Sequence, residues 1–463
     1  MSLQVSQIQS IANLLEQLLQ NKPLYEILSL EQTASLKEIN QKIQDLCFPL
    51  TRKVYAYPAY ENEVFPVNAL IELLDNAKSL HKTAEESNPA PPTSKIINFR
   101  KKVEEVIFEI NALLNPQKMT PTGIIPKFSA DFVYETKQDD RIDKSVITVK
   151  ASGIDLIIQY YTHKYNAAFN FSYANENDFL DNLEKEINQL RQSPRDCRMT
   201  FLIGRDRSHI LPIVYIRENN QEGILIADTT GMPDINPQAK ITATEMVKMQ
   251  EKAEKMKINF FAIKMARQAS QFSCRTDALI LGRDATSCDP SGNYRTLNLL
   301  EKLQKRAVQD VNYKYWFDAK LPDELLKSAQ ISVFKQTHKE DIPRKIHKEK
   351  TLSQFWETYT ESLPIVNSTT QEKEQKQVAT YSRVKSFKFI PIMQIQFYCN
   401  QLQRELGDLW TDELKNTFIG NAKKLFKSHG QTAVEKQNTA IYKLAAETLA
   451  STLQDKNVRR STM

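Results

Sequence analysis

The stretch that decides the fold lies at residues 209–228 and reads HILPIVYIRENNQEGILIAD. Two apolar runs flank a polar, glycine-containing segment at residues 218–223, a pattern that predicts a β-hairpin. Pro212 lies in the first run, and because proline donates no backbone hydrogen bond, it predicts a bulged or edge strand there. The start of one strand and the end of its antiparallel partner meet at one edge of a sheet. We therefore expect His209 and Asp228 to lie side by side.

The sequence around this hairpin predicts an α+β core with a mixed sheet. Alternating or continuous apolar residues predict further strands at residues 169–173, 198–203 and 258–265. Apolar residues at helical spacing predict helices at residues 154–165, 177–191 and 274–283. The predicted catalytic domain covers residues 145–335. Helical regions are expected on both sides of it, at residues 1–130 and at residues 380–463, and the chain beyond residue 335 is predicted to be helical.

Composition and charge exclude several classes of protein. The 463 residues are 41% hydrophobic and 25% charged, as in soluble globular proteins of two or three domains. The net charge of +6 is modest and predicts no nucleic-acid partner, which would need a concentrated basic face. The first residues have no secretory pattern, and no apolar run approaches the ~20 residues of a membrane helix. The sequence therefore predicts a soluble protein without a transmembrane segment.

The cysteines have neither disulfide nor metal-site spacing. Their scattered positions and odd number predict reduced thiols: Cys47, Cys197, Cys274, Cys288 and Cys399. The chain has no CxxC pair, and its six histidines form no ligand-spaced cluster, so no metal site is expected.

Four residues have the chemistry of acyl transfer. Cys274 opens a predicted helix, where free N–H groups and the helix dipole stabilise a thiolate. His209 would accept the thiol proton, and Asp228 would hold the imidazole in the required tautomer. In the loop before the helix, the Gln268 amide would donate to a developing oxyanion, together with the backbone N–H of Cys274. The sequence predicts these four as catalytic residues.

The order His, Asp, Gln, Cys resembles the clan CE cysteine enzymes, which have a papain-like core. This clan includes the Ulp/SENP ubiquitin-like proteases and the YopJ family of bacterial effector acetyltransferases. A glutamine six residues before the nucleophile is typical of the clan, as Gln268 is before Cys274. The interval between the histidine and the acid, and the segment at residues 167–190, are similar to the YopJ branch. The sequence departs from the clan at Arg275, where glycine is usual, and at Ile210, where an aromatic residue is common.

A second stretch, at residues 321–330, reads LPDELLKSAQ and resembles the LPxxxxKxxQ motif of the YopJ family. In that family the motif helps to bind inositol hexakisphosphate, an activator. The resemblance therefore implies cofactor-binding roles for Lys327 and Gln330. Ser328 and Ala329 replace polar residues of the family motif.

Three functions remain open at this point. The first is an acetyltransferase that moves acetyl from acetyl-CoA through Cys274 to Ser, Thr or Lys of a host protein, with inositol hexakisphosphate as activator. The second is a thiol protease of ubiquitin or a ubiquitin-like protein, which needs no cofactor. The third is a binding protein on a decayed enzyme scaffold, with the site closed by Arg275.

Some local features of the sequence favour the acetyltransferase and others favour the protease. The interval between His209 and Asp228 and the stretch at residues 321–330 favour acetyl transfer. An aspartate followed by Thr229-Thr230-Gly231 is closer to the protease branch. We place acetyl transfer first, and the resemblance implies secretion by a bacterium into the host cytoplasm. The flanking helical regions are expected to recognise a host partner or a membrane-bound target.

Overall fold

The structure is a computed structural model. It describes residues 125, 127–173, 179–192, 196–204, 209–237, 239–270, 272–340, 345–347, 349–366, 373–429 and 434–461. The predicted N-terminal helical region at residues 1–130 therefore lies almost wholly outside the described residues.

The elements follow one another in a mixed α and β order. The first half contains α1 (Ala130–Val133), β1 (Tyr134–Asp139), β2 (Lys144–Val149), α2 (Ala151–Tyr165), β3 (Phe169–Tyr173), α3 (Phe179–Arg191), β4 (Cys197–Gly204), β5 (Ile210–Glu218), β6 (Gln221–Ile226), α4 (Ala243–Met256), β7 (Asn259–Ala262) and α5 (Cys274–Thr286). The second half contains α6 (Leu299–Lys305), β8 (Val308–Gln309), β9 (Trp316–Asp318), α7 (Ser332–His338), β10 (Lys345–His347), β11 (Lys350–Thr351), α8 (Leu352–Thr358), β12 (Thr360–Val366), β13 (Lys373–Ala379), α9 (Tyr381–Leu406), α10 (Asp412–His429) and α11 (Val434–Ser461).

A seven-stranded sheet forms the centre, with the strand order β3-β4-β5-β6-β7-β9-β8. The pairs β4–β5, β5–β6 and β8–β9 are antiparallel, and the other three pairs are parallel. The prediction of an α+β fold with a mixed sheet is confirmed. Most of β5 is buried, as is the second half of β6. Burial on both faces explains why these runs are continuously apolar rather than alternating.

The predicted hairpin is confirmed as β5 and β6, with a shorter loop than the six polar residues suggested. Glu218 pairs with Gln221, so only two residues form the turn. Both of them, Asn219 and Asn220, have positive φ angles of 51° and 62°. Two left-handed residues make the turn that matches the twist of paired strands, and asparagine tolerates this conformation.

The expectation of a bulged or edge strand at Pro212 is wrong. Strand β5 is interior, and its register with β4 runs without a shift from Ile210 to Arg217. On the other side, the ladder with β6 begins only at Ile213. The proline carbonyl still accepts a hydrogen bond from the backbone N–H of Ala227 at 3.2 Å. The missing N–H of Pro212 therefore falls at the end of a ladder, where the sheet tolerates it.

Helix α5 is packed tightly against the sheet. All of its residues are buried. At Gly282, an added Cβ would lie 2.4 Å from Phe169 Cε1 and 2.7 Å from Thr200 Cγ2, so only glycine allows this approach to β3 and β4. Side chains of α2, α5, α9, α10 and α11 share one hydrophobic cluster. The C-terminal helices thus pack on the same core as the helix that begins with Cys274.

The prediction that the chain beyond residue 335 is helical is wrong in part. Two hairpins, β10–β11 and β12–β13, precede the three long helices. The first residues of β13 that the structure describes are exposed and polar, so the strand lacks the apolar alternation that would reveal it. Among the helices that the structure describes, none combines the length and the apolarity needed to cross a membrane.

Candidate active site

The structure brings Cys274, His209 and Asp228 together at one edge of the sheet. His209 directly precedes β5, Asp228 follows the end of β6, and Cys274 is the first residue of α5. The imidazole Nε2 of His209 lies 2.9 Å from Asp228 Oδ2. The same imidazole also forms a hydrogen bond with the Cys274 side chain. Because Nε2 faces the carboxylate, Nδ1 is the nitrogen left for the thiol.

The charges of His209 and Asp228 stabilise each other in a buried environment. Burial lowers the pKa of His209, but the Asp228 carboxylate and the hydrogen bonds outweigh burial and raise this pKa to about 10. Burial raises the pKa of Asp228, but His209 and Thr230 outweigh it and hold the pKa below its usual value. Imidazolium and carboxylate are therefore the forms present near neutral pH.

The Asp228 carboxylate is also fixed by the turn that follows it. The backbone N–H and the hydroxyl of Thr230 both donate to Asp228 Oδ1, each at 2.7 Å. Gly231 completes the turn with a φ of 78°, and a Cβ there would lie 2.4 Å from the carbonyl oxygen of Lys264. Glycine is required on both counts. The turn can thus lie against the segment that leads to Cys274.

Gln268 lies in this segment, beside the turn. Its backbone N–H donates to the carbonyl of Thr229 at 3.3 Å. Its side-chain amide donates to the carbonyl of Ser270, while its Oε1 is buried without a hydrogen-bond partner. The amide group carries two N–H bonds, and the predicted oxyanion role requires the one that does not serve Ser270.

The two residues assigned to inositol phosphate binding have partners inside the protein. Lys327 Nζ lies 2.8 Å from Asp284 Oδ2 near the end of α5. Gln330 accepts hydrogen bonds from the backbone N–H groups of Ala269 and Ser270. Their exposed fractions are 8% and 3%. The side chain of Lys327 thus reaches the last turn of α5, whereas that of Gln330 reaches the segment before the first turn.

A buried ion pair that the sequence analysis missed lies behind the triad. Arg267 Nη2 lies 2.5 Å from Asp277 Oδ2 and donates to the carbonyl of Ala227 at 2.9 Å. Arg267 thus links the end of β6 to the first turn of α5. The available signal was the charge of Asp277 in a helix with a long apolar run, because a charge that becomes buried needs a partner.

Arg275 occupies the position where the clan usually has glycine. Its Nη1 donates to the carbonyl of Val149 at 2.5 Å. The guanidinium is therefore engaged with the end of β2.

Positive charge accumulates near the C-terminal end of α5. Arg283 donates to Asp284 Oδ1 at 2.6 and 2.8 Å, and Lys327 pairs with the other oxygen of the same carboxylate. Further cations come from other helices, and we call the whole set the basic cluster: Lys164, Arg283, Lys327, Lys385 and Lys388. Burial, together with Arg283 and Lys388, lowers the pKa of Lys385 to about 7.

Among the residues that the structure describes, the basic cluster places five cations around the carboxylate of Asp284. A polyanion would relieve the repulsion between them. The residues come from three helices and from the segment at 321–330, so no local sequence pattern reveals the cluster. Among the described residues, no group of three or more His, Cys, Asp or Glu side chains could hold a metal ion.

Comparison with known proteins gives matches to structures only. No protein-family model matches the chain, and no curated protein matches it. The chain is similar to AvrA delL154 with IP6 and CoA, at 11% identity and a TM-score of 0.36, over 51% of this chain and 85% of AvrA. It is also similar to HopZ1a in complex with IP6 (inositol hexakisphosphate), at 11% identity and a TM-score of 0.31, over 77% of this chain and 97% of HopZ1a.

Both matches are YopJ-family effectors. At this identity and these TM-scores, neither likeness says which reaction the present chain performs.

Proposed function

We propose that the chain is an effector-type cysteine acetyltransferase of the clan CE kind, in which Cys274 carries an acetyl group to a hydroxyl or amine of a host protein. The observation that carries the acyl-transfer part of the proposal is the buried pair of His209 and Asp228 beside a cysteine at a helix N-terminus. An imidazolium and a helix N-terminus both stabilise a thiolate, the form of cysteine that attacks carbonyl carbon. Secretion into a host cell is part of this proposal.

The residues of the triad divide the work of two acyl transfers. Acetyl-CoA supplies the acetyl thioester. Cys274 Sγ forms a bond to the acetyl carbon, the bond from that carbon to the donor sulfur breaks, and His209 gives its proton to the departing thiolate. In the second step His209 takes the proton of the acceptor, whose oxygen or nitrogen forms the new bond as Cys274 leaves. Asp228 keeps the imidazole oriented throughout.

The triad alone serves a protease equally well, so the choice rests on the basic cluster. A polyanionic activator is what the YopJ resemblance implies, whereas a ubiquitin-family protease needs none. The excess of cations around Asp284 fits inositol hexakisphosphate, which Arg283 and Lys385 would hold. Lys327 would contribute while remaining paired with Asp284.

Replacing Lys385 with methionine tests this assignment through stability rather than activity. The pKa of Lys385 is about 7 in the fold and 10.5 ordinarily, so charging this lysine at lower pH works against folding. At pH 6 the Lys385→Met variant is therefore expected to melt at a higher temperature than the wild type without ligand. With inositol hexakisphosphate the order reverses, because the wild type gains more from binding. Thermal melts at pH 6 with and without the ligand measure both effects.

Lys335 offers a matched control for this substitution. Burial lowers its pKa to about 8, and its ammonium lies 4.6 Å from the centre of the Trp356 ring, outside the basic cluster. The Lys335→Met variant is expected to keep the full stabilisation by inositol hexakisphosphate. If inositol hexakisphosphate raises the melting temperature of the Lys385→Met variant as much as that of the wild type, the basic cluster is not its binding site.

One experiment separates the two reactions. The protein is incubated with radiolabelled acetyl-CoA, with and without inositol hexakisphosphate, and separately with ubiquitin-family proteins bearing C-terminal electrophiles. Peptide mapping should place the acetyl label on the peptide that contains Cys274 and not on those with Cys197, Cys288 or Cys399. A covalent adduct with a ubiquitin-family protein in place of the acetyl label would show a protease instead.

A further inference from the structure

A single buried side chain, that of Gln330, holds the segment that precedes the nucleophile. We call that segment, residues 267–270 together with 272 and 273, the nucleophile loop. Gln330 Oε1 accepts hydrogen bonds from the backbone N–H groups of Ala269 at 2.7 Å and Ser270 at 2.9 Å. Its Nε2 donates to Ser273 Oγ at 3.1 Å. One side chain thus contacts the loop at its middle and at its end.

The backbone of Gln330 is held as firmly as its side chain. Its N–H donates to the carbonyl of Arg267 at 2.8 Å, and its carbonyl accepts from the N–H of Ala379 at 3.1 Å. Gln330 therefore lies between the nucleophile loop and the end of β13. A side chain whose backbone is fixed on both sides has few other positions to adopt, so the distances to Ala269 and Ser270 are set by the fold.

Without this glutamine, the backbone N–H groups of Ala269 and Ser270 would lose their hydrogen-bond acceptor. Buried backbone N–H groups that lose their acceptor cost free energy, so the loop would rearrange to find other partners. A second anchor would remain, because Ser270 Oγ also donates to the buried carboxylate of Asp139. Loss of Gln330 is therefore expected to displace the loop rather than to unfold the protein.

We propose that Gln330 is a positioning residue for acyl transfer, which places Gln268 and the N–H of Cys274 by holding the nucleophile loop. It acts through the loop and touches no reacting atom. The inference rests on the proposed acyl-transfer function, and it replaces the ligand-binding role that the family motif implies for Gln330. The three side-chain hydrogen bonds to the loop carry it.

The test compares Gln330→Met with a matched control, Gln394→Met. Gln394 is also fully buried, but neither of its side-chain polar atoms has a hydrogen-bond partner among the described residues. Gln330→Met is expected to lower the rate of acetyl transfer roughly 10- to 100-fold, which is less than the roughly 10²- to 10³-fold cost of removing an oxyanion donor, because the donors are displaced rather than removed. Alkylation of Cys274 by iodoacetamide, which needs no oxyanion donors, should stay near the wild-type rate. Amide hydrogen exchange in the nucleophile loop should become faster, and Gln394→Met should change none of the three.

A milder variant covers the case in which Gln330→Met does not fold. Ser273→Ala removes only the hydrogen bond from Gln330 Nε2, and the Ser273 side chain makes no capping bond to α5. Compared with Gln330→Met, it should show a smaller loss of acetyl transfer and a smaller increase in amide hydrogen exchange of the nucleophile loop.

Hydrogen exchange separates a failure of this inference from a failure of the proposed function. Unchanged exchange in the nucleophile loop of Gln330→Met, or of Ser273→Ala where the former is unfolded, overturns the positioning role. So does an equal loss of transfer in Gln394→Met. If the wild type transfers no acetyl group, the proposed function fails, while faster loop exchange in the variant would still show that Gln330 holds the nucleophile loop.

Discussion

Replacing Cys274 with alanine is expected to abolish acyl transfer while leaving the protein folded. Without the thiolate no acyl-enzyme can form, and loss of a nucleophile lowers turnover by roughly 10⁴-fold or more. Removing the buried sulfur leaves a small cavity, so the free energy of unfolding should fall by about 1–2 kcal/mol, which is small against the ~5–15 kcal/mol of a typical domain. Acetyl incorporation from radiolabelled acetyl-CoA and the melting temperature measure the two effects independently.

Cys288→Ala is the matched control for this substitution. Cys288 is a partly buried free thiol whose Sγ lies 3.7 Å from the carbonyl of Thr286, so the chemical change is the same. It should retain acetyl incorporation. If Cys274→Ala still becomes labelled while Cys288→Ala does not, the nucleophile has been assigned to the wrong residue.

Replacing Asp228 with asparagine is expected to give the second largest effect, a loss of roughly 10²- to 10⁴-fold in transfer rate. The carboxylate raises the pKa of His209, and burial alone would lower it. In Asp228→Asn the imidazole should therefore be neutral near pH 7 and should no longer stabilise the Cys274 thiolate. Slower alkylation of Cys274 by iodoacetamide near neutral pH would report this change directly.

The same substitution should alter stability in a way that depends on pH. The Asp228 carboxylate has a folded pKa below its ordinary 3.8, so its contribution is present above that pH and is lost as the pH falls. His209 has a folded pKa of about 10 against an ordinary 6.5, so its contribution is complete below 6.5 and is lost as the pH rises toward 10. The gap in melting temperature between wild type and Asp228→Asn should be widest between about pH 4 and 6.5, and should narrow toward pH 10.

Glu245→Gln provides the comparison, because Glu245 is a buried carboxylate in the capping box of α4, where it accepts hydrogen bonds from Thr242 rather than from His209. It is expected to keep full transfer activity. A gap in melting temperature for Asp228→Asn that does not change between pH 5 and pH 9 would mean that the ion pair with His209 does not stabilise the fold.

Local patterns predicted the parts of the site that lie on adjacent elements. The hairpin of β5 and β6 could be predicted because its two apolar runs and its turn are consecutive in the sequence. This hairpin alone brings His209 to Asp228. The position of Cys274 at the start of α5 followed from helical spacing alone. The contact of Cys274 with His209 was an inference from chemistry, because the two residues are far apart in the sequence.

The partners of Lys327 and Gln330 could not be predicted in this way. Gln330 bonds to Ala269 across 61 residues, and Lys327 reaches Asp284 from a segment without regular spacing. Sequence spacing says nothing about which distant segment a buried polar side chain will meet. The family motif identified both residues as important, whereas the structure shows them satisfied within the protein.

The position of β5 within the sheet was missed for a related reason. Whether a strand is interior depends on β3 and β4 on one side and on β6, β7 and the short strands on the other, none of which its own residues specify. The rule that proline avoids interior strands holds only where the missing N–H is needed.

Pro212 in β5 affects how the buried Arg267 guanidinium is bound. The N–H that residue 212 does not possess would have reached the carbonyl of Ala227, whose own N–H already bonds to Pro212. That acceptor is instead open to the Arg267 guanidinium. Replacing Pro212 with valine would supply a second donor to the Ala227 carbonyl, which Arg267 would then share with the main chain. The proline thus leaves this acceptor at the carboxyl end of β6 to the buried arginine.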